Sequence, residues 1–274
     1  MTLAPVAAAA ASSGSIISGP VTFADVALSL LLVAAAIGVS RWRRVGLEED
    51  MAIATVRSFV QLIAIGYVLN FVFNGHGWLT AGTLVIMMVT AALTSGARAH
   101  RVPGSRLVAA AAISVATAAT LGVLAALRIV PVSARAIIPL GSMIISSAMN
   151  TTSLVMTRFY DDLAASRREV EARLSLAQSS RQAALPWQRA ALRSGMIPTV
   201  DQTKVVGLVA LPGAMTGMIL AGASPLAAIR LQLVVMYMLL GGNAFAGLIA
   251  SELSARRLFT PAQQLIRSLR RTPG

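Results

Sequence analysis

Apolar residues in this chain do not alternate and are not evenly scattered. They fall into runs of roughly 20, each long enough to cross the ~30 Å hydrocarbon layer as a helix. Hydropathy predicts seven such spans, at about 22–40, 51–73, 78–97, 107–127, 136–157, 203–223 and 229–254. The expected fold is an all-α membrane protein of seven transmembrane helices, with a helical insertion at 158–202 between the fifth and sixth. Residues 1–21 are expected to form a short disordered tail, and 255–274 a basic one. The first 20 residues are rich in Ala and Ser and lack a basic residue, so they do not make the positively charged start of a cleavable signal peptide.

Within the insertion, Phe159, Leu163, Val170, Leu174 and Ala177 recur at helical spacing, while Asp161, Asp162, Arg167, Arg168, Glu169 and Arg173 fill the other faces. This predicts an amphipathic helix. Pro186, tolerated in a first helical turn, is expected to open a second short helix over Trp187–Arg193, with Trp187 exposed and Gly195 closing it. Thr199-Val200-Asp201-Gln202 has capping-box form and predicts the start of the sixth span. Such helices could lie on lipid headgroups, or they could form the surface on which a soluble partner docks.

Composition agrees with a membrane class. Of 274 residues 56% are apolar and 12% charged, about half the charge density of a soluble domain. A net charge of +13 would suggest nucleic acid in a soluble chain. Here basic residues record which loops stay in the cytoplasm. Arg41, Arg43 and Arg44 follow the first span, and Arg98, Arg101 and Arg106 the third. Eight more crowd 158–204, and Arg256, Arg257, Arg267, Arg270 and Arg271 follow the seventh. The opposite loops hold only Arg128, Arg135 and Arg230. The amino terminus is therefore expected outside and the carboxyl terminus inside, in a lipid bilayer and without a nucleic-acid partner.

Several polar groups and one break fall inside predicted spans. Arg57 and Gln61 share a face of the second. Arg57 could snorkel to the interface, or pair with Asp201 or Glu252 near the cytoplasmic ends of other spans. Asn150-Thr151-Thr152-Ser153 and Asn243 read as hydrogen bonds between helices or as pathway-lining groups. Leu211-Pro212-Gly213 predicts a kink or hinge in the sixth span, and Gly213 with Gly217 a small-xxx-small face.

Enzymatic chemistry is missing. The absence of cysteine removes thiolate metal sites and cysteine nucleophiles. His76 and His100 are expected on opposite sides of the membrane, and neither falls in a span to serve a buried nucleophile. Twelve methionines in apolar helices read as filler, so no metal site is expected. No G-x-x-x-x-G-K-[ST] sequence occurs, so any ATP is bound by another chain.

The runs Val56–Leu69, Ile197–Asp201 and Val206–Gly217 resemble the iron-export ABC permease family, which includes the membrane subunit of a plant aluminium-tolerance transporter. The likeness covers roughly residues 47–260. It implies a permease in the bacterial inner membrane, a homodimer paired with a separate ATP-binding cassette protein that carries ATP and Mg, exporting a metal ion. By the same resemblance, Glu171-Ala172-Arg173 with Ala177 looks like the Glu-Ala-Ala…Gly loop through which such permeases touch their ATPase, with Ala in place of Gly. Glu171, Leu174, Ala177, Trp187 and Arg193 are then the expected ATPase contacts, and Asn150, Pro212, Gly213 and Gly217 the translocation or hinge residues. Ser146-Ser147 stands where relatives tend to carry glycine and asparagine. Two other classes fit the residues without an ATPase: a secondary transporter or channel, and a non-transporting membrane scaffold.

Overall fold

The computed structural model describes residues 22–73, 77–266 and 269. The expected tail at 1–21, His76, and Arg267, Arg270 and Arg271 lie outside the described residues. Among those described, the chain is almost entirely helical: α1 (Phe23–Arg43), α2 (Glu48–Phe73), α3 (Gly77–Arg98), α4 (Ser105–Ala126), α5 (Ala134–Ala165), α6 (Arg167–Ser175), α7 (Ser180–Val205), α8 (Gly213–Leu220) and α9 (Pro225–Leu258). Five of these, α1 to α4 and α9, are long and apolar enough to cross a membrane.

The chain divides into two compact units, one built on α1 and α2 and the other on α3 to α7 and α9. In the first, Thr22 and Asp25 cap α1 reciprocally. The Asp25 amide donates to the Thr22 hydroxyl at 3.4 Å, and Asp25 Oδ2 accepts from the Thr22 amide at 2.8 Å. The helix ends on Arg44 in the left-handed region. Glu48, Glu49 and Asp50 then open α2, where acids complement the helix dipole. The Ser40 hydroxyl donates to Glu48 Oε1 at 3.0 Å and so fixes the connection.

The second unit packs around small residues. Ala109, Ala112 and Ala116 form a fully buried stripe on α4, and Ala246 and Ala250 one on α9. Lipid is as apolar as a leucine core, so helices here are held by close contact and interhelical hydrogen bonds. Gly195 of α7 shows how close: a Cβ there would stand 2.3 Å from Val155 Cγ2 on α5. Along α5 and α6, Phe159, Leu163 and Val170 are fully buried, as their spacing predicts, and Leu174 packs against them, but the single helix expected there is broken at Ser166 and Ala177 lies exposed beyond its end.

Three local expectations are corrected. First, α7 is one helix from Ser180 to Val205, not a short helix over 187–193 followed by a span. The capping box that starts it is Ser179 with Gln182, seven residues before Pro186. Pro186 and Pro198 each remove a backbone bond at a nominal cost of about 3 kcal/mol, yet the helix continues because the face carrying Ala183, Ala184, Ala191 and Gly195 is buried. Second, Gly195 closes nothing and Thr199 caps nothing, since both lie inside α7. Third, 203–223 is not a continuous helix. The chain leaves helix after Val205, turns through Gly207 at φ +82°, and re-enters at Gly213 for eight residues. Pro212 therefore stands in a break and does not kink a helix, and its carbonyl accepts from the Thr216 amide at 3.0 Å. The expected insertion boundaries at 158 and 203 both fall within helices, since α5 continues to Ala165.

Candidate functional site

Three places hold the residues that the sequence singles out. The first is the elbow between α6 and α7. Two ion pairs run along α6, Arg167 Nε to Glu171 Oε1 at 2.9 Å and Arg173 Nη2 to Glu169 Oε1 at 2.8 Å. Each is an i,i+4 pair on a partly solvated surface and contributes about 0.3–0.5 kcal/mol. Arg173 does more, because its guanidinium also lies over the Trp187 ring, 5.1 Å from the centroid. Trp187 is half-buried and packs on the core, a correction to the exposed tryptophan expected from sequence. It joins α7 to α6 while Arg193, two turns on, stays exposed.

Ala177 is the pivot of this elbow. It has φ +61°, its amide donates to the Leu174 carbonyl at 3.1 Å, and the next amide, of Gln178, reaches back to the Arg173 carbonyl at 3.3 Å. That pair of bonds is a Schellman ending, whose left-handed residue is ordinarily glycine. The geometry supplies a physical reason why glycine would suit this position. On the far side of the turn, Gln263 Oε1 accepts from the Ser180 amide and ties the start of α7 to the segment after α9.

The second place is a polar node where α5, α7 and α9 meet. Asn243 is 1% exposed, and its Nδ2 donates to Ser147 Oγ at 2.7 Å and Thr199 Oγ1 at 2.6 Å. One amide thus crosslinks three helices, one of the two roles open to Asn243 from its sequence. Ser147 of α5 is one of its acceptors. Nearby, the Ser153 hydroxyl donates to Ser95 Oγ at 3.0 Å and joins α5 to α3. Asn150 lies outside the node: it is exposed and its Oδ1 accepts from Arg98 Nη1 at 2.9 Å.

The third place is the break at 206–212. Leu208 and Val209 are 90% and 80% exposed, apolar surface left for lipid or another chain. Among the described residues, Gly213 and Gly217 each have no atom within 4 Å of where a Cβ would stand. Of the remaining polar candidates, Asp201 accepts from Lys204 Nζ at 3.2 Å, and Glu252 accepts from Arg256 at 3.4 Å and Gln188 at 3.4 Å. Both acids considered as partners for Arg57 are thus engaged by neighbours. Arg57 and Gln61 are exposed on α2. No group of three or more His, Cys, Asp or Glu that could hold a metal ion occurs among the described residues.

No solved structure matches the chain. Curated relatives do. The chain is 41% identical over 236 residues to the UPF0014 membrane protein STAR2 of Oryza sativa subsp. japonica, covering 85% of this chain and 82% of that one. It is 39% identical over 241 residues to the protein ALUMINUM SENSITIVE 3 of Arabidopsis thaliana, covering 87% and 88%. It is 32% identical over 250 residues to the Escherichia coli K12 protein named "Probable iron export permease protein FetB", covering 90% and 95%. Residues 23–259 match the uncharacterised protein family UPF0014, and with five helices able to cross a bilayer the chain is a multi-pass membrane protein belonging to that family.

Proposed function

We propose that this chain is the transmembrane permease subunit of an ABC exporter of a metal ion, iron being the cargo in one relative's name. ATP and Mg are bound and ATP is hydrolysed by a separate subunit, two of which act on a dimer of this chain in the bacterial inner membrane. The observation that carries the reading is the construction of the α6–α7 elbow. A handle that receives force must be stiff and must connect to the helices it moves. This one is stiffened by the Schellman turn at Ala177, the Arg173–Trp187 contact and the Gln263 tether, and it continues without interruption into α7. From there the Asn243 node engages α5 and α9.

In this mechanism the elbow faces the cytosol, with the amino terminus outside. Closure of the ATPase dimer pushes Glu171, Leu174, Ala177, Trp187 and Arg193 as one piece. The displacement travels along α7 to the break at 206–212, where the backbone is free to reorient α8 about Pro212 and Gly213. ATP shifts the equilibrium only as far as its binding prefers one facing of the complex.

The test is reconstitution of the chain with its ATP-binding cassette partner in inside-out vesicles. ATP-dependent, vanadate-sensitive metal uptake is expected. Equal uptake without ATP would replace this reading with a secondary transporter, and no uptake alongside a stable complex would favour a scaffold.

A further inference from the structure

A cavity of about 450 Å³ lies where α7 ends, between the irregular backbone of 206–211 and α9. Gln232 of α9 lines it. That side chain is 6% exposed, and its Oε1 is buried without a hydrogen-bond partner. A buried carbonyl oxygen left unpaired costs about 1–3 kcal/mol, and at a cavity wall a bound group can supply the missing partner. Two hydroxyl side chains also line the wall, Thr203 and Tyr237. The Thr203 hydroxyl donates a hydrogen bond to the Thr199 carbonyl, at 2.7 Å, and so has only lone pairs left to offer. Met215 and Met236 add thioethers, which are weak hydrogen-bond acceptors but good ligands for soft metals. No charged side chain lines the cavity. Hard cations such as Mg²⁺ need several oxygens, carboxylates among them.

From this we infer that the cavity beside the broken span is a binding station for a soft or borderline transition-metal cation, held by Gln232 Oε1 and the thioethers of Met215 and Met236. The neutral wall suits a site that must release its ion as well as take it. A transported ion would arrive where non-helical backbone lines a cavity, the setting in which membrane proteins tolerate such backbone. The physiological meaning of the site rests on the exporter reading, but its existence does not.

The test uses the full chain in lipid nanodiscs, without an ATPase, titrated with Ag(I) as a redox-inert soft probe and with Mg(II) as the hard control. Saturable Ag(I) binding is expected, weakened about tenfold or more in both Gln232→Leu and Met236→Leu and unchanged in Met143→Leu, whose side chain does not line the cavity. Gln232→Leu should also unfold at a slightly higher temperature without metal, because an unpaired buried acceptor has been removed; this separates loss of binding from loss of fold. Absent saturation, unchanged binding in Gln232→Leu, equal weakening in Met143→Leu, or Mg(II) binding as tight as Ag(I) would each overturn the assignment. Those failures would leave ATP-driven export intact, whereas failure of ATP-driven export in vesicles would leave a saturable Ag(I) site standing.

Discussion

Substituting Gly195 by alanine tests the packing of α7 directly, because two accounts of that glycine predict opposite signs. On a solvated helix, Gly→Ala raises stability by about 0.8–1 kcal/mol through helix propensity. In the structure the new Cβ would lie 2.3 Å from Val155 Cγ2 and 3.4 Å from the Thr151 carbonyl oxygen. Carbon contacts are comfortable near 3.5–4.0 Å, so one helix or one side chain must give by more than an ångström. Val155 is fully buried, and a valine in a helix has essentially one χ1 well, so it cannot swing aside. Overpacking of this kind costs about 1–3 kcal/mol. With the propensity gain subtracted, a net loss of up to about 2 kcal/mol remains. Denaturation of the purified full chain in detergent should show that loss, and Val155→Ala in the same molecule should restore part of it through a favourable coupling between the two sites. A Gly195→Ala variant more stable than the parent, or one indifferent to Val155→Ala, would refute the close approach of α7 to α5.

Ala177→Gly should stabilise by about 0.5–1 kcal/mol, the relief of a left-handed alanine less the entropy gained by the unfolded chain; thermal unfolding checks it, and a less stable variant would remove the Schellman turn from the account. Asn243→Leu should cost about 1–3 kcal/mol by stripping Ser147 and Thr199 of their donor, and a double-mutant cycle with Thr199→Val should return a coupling energy near the value of that bond; additive effects would count against the node. Replacing Pro212 by alanine allows helix to extend into the break, so transport should fall in reconstituted vesicles while the ATPase still co-purifies; normal transport would make the proline a packing residue only. Arg173→Ala should lower the coupling of ATP hydrolysis to transport without blocking membrane insertion, and unchanged coupling would detach the Trp187 contact from force transfer.

Much of the fold was legible because membrane insertion writes it in hydropathy. Each predicted span from 22 to 127 falls within α1 to α4 or a residue past an end, since about 20 apolar residues admit no other economical structure in lipid. The buried face of Phe159, Leu163 and Val170 was legible from its spacing. The reading failed where local signals compete with packing. Pro186, Gly195 and Thr199 each carry a strong local preference for a helix end, yet each sits inside α7, where Gly195 packs against Val155 of α5 and Thr199 is bonded to Asn243 of α9. Ser179 and Gln182 have the same capping spacing as Thr199 and Gln202, so pattern alone could not say which pair starts the helix. The sixth span was misread for a related reason: 206–212 is apolar enough to insert but leaves helix at Gly207. Gln232 gave no signal at all. Its importance lies in a missing partner and a cavity, and neither is a property of sequence neighbours.

The elbow's side of the membrane is the claim on which the rest depends. The natural chain has no cysteine, so a single Leu176→Cys, at a position 78% exposed beside Ala177, reports it without background. A membrane-impermeant maleimide should label that cysteine in inside-out vesicles and leave it unlabelled in right-side-out ones, with protection when the ATPase is bound. Labelling from the outer face alone would place the elbow where no cytosolic motor can reach it.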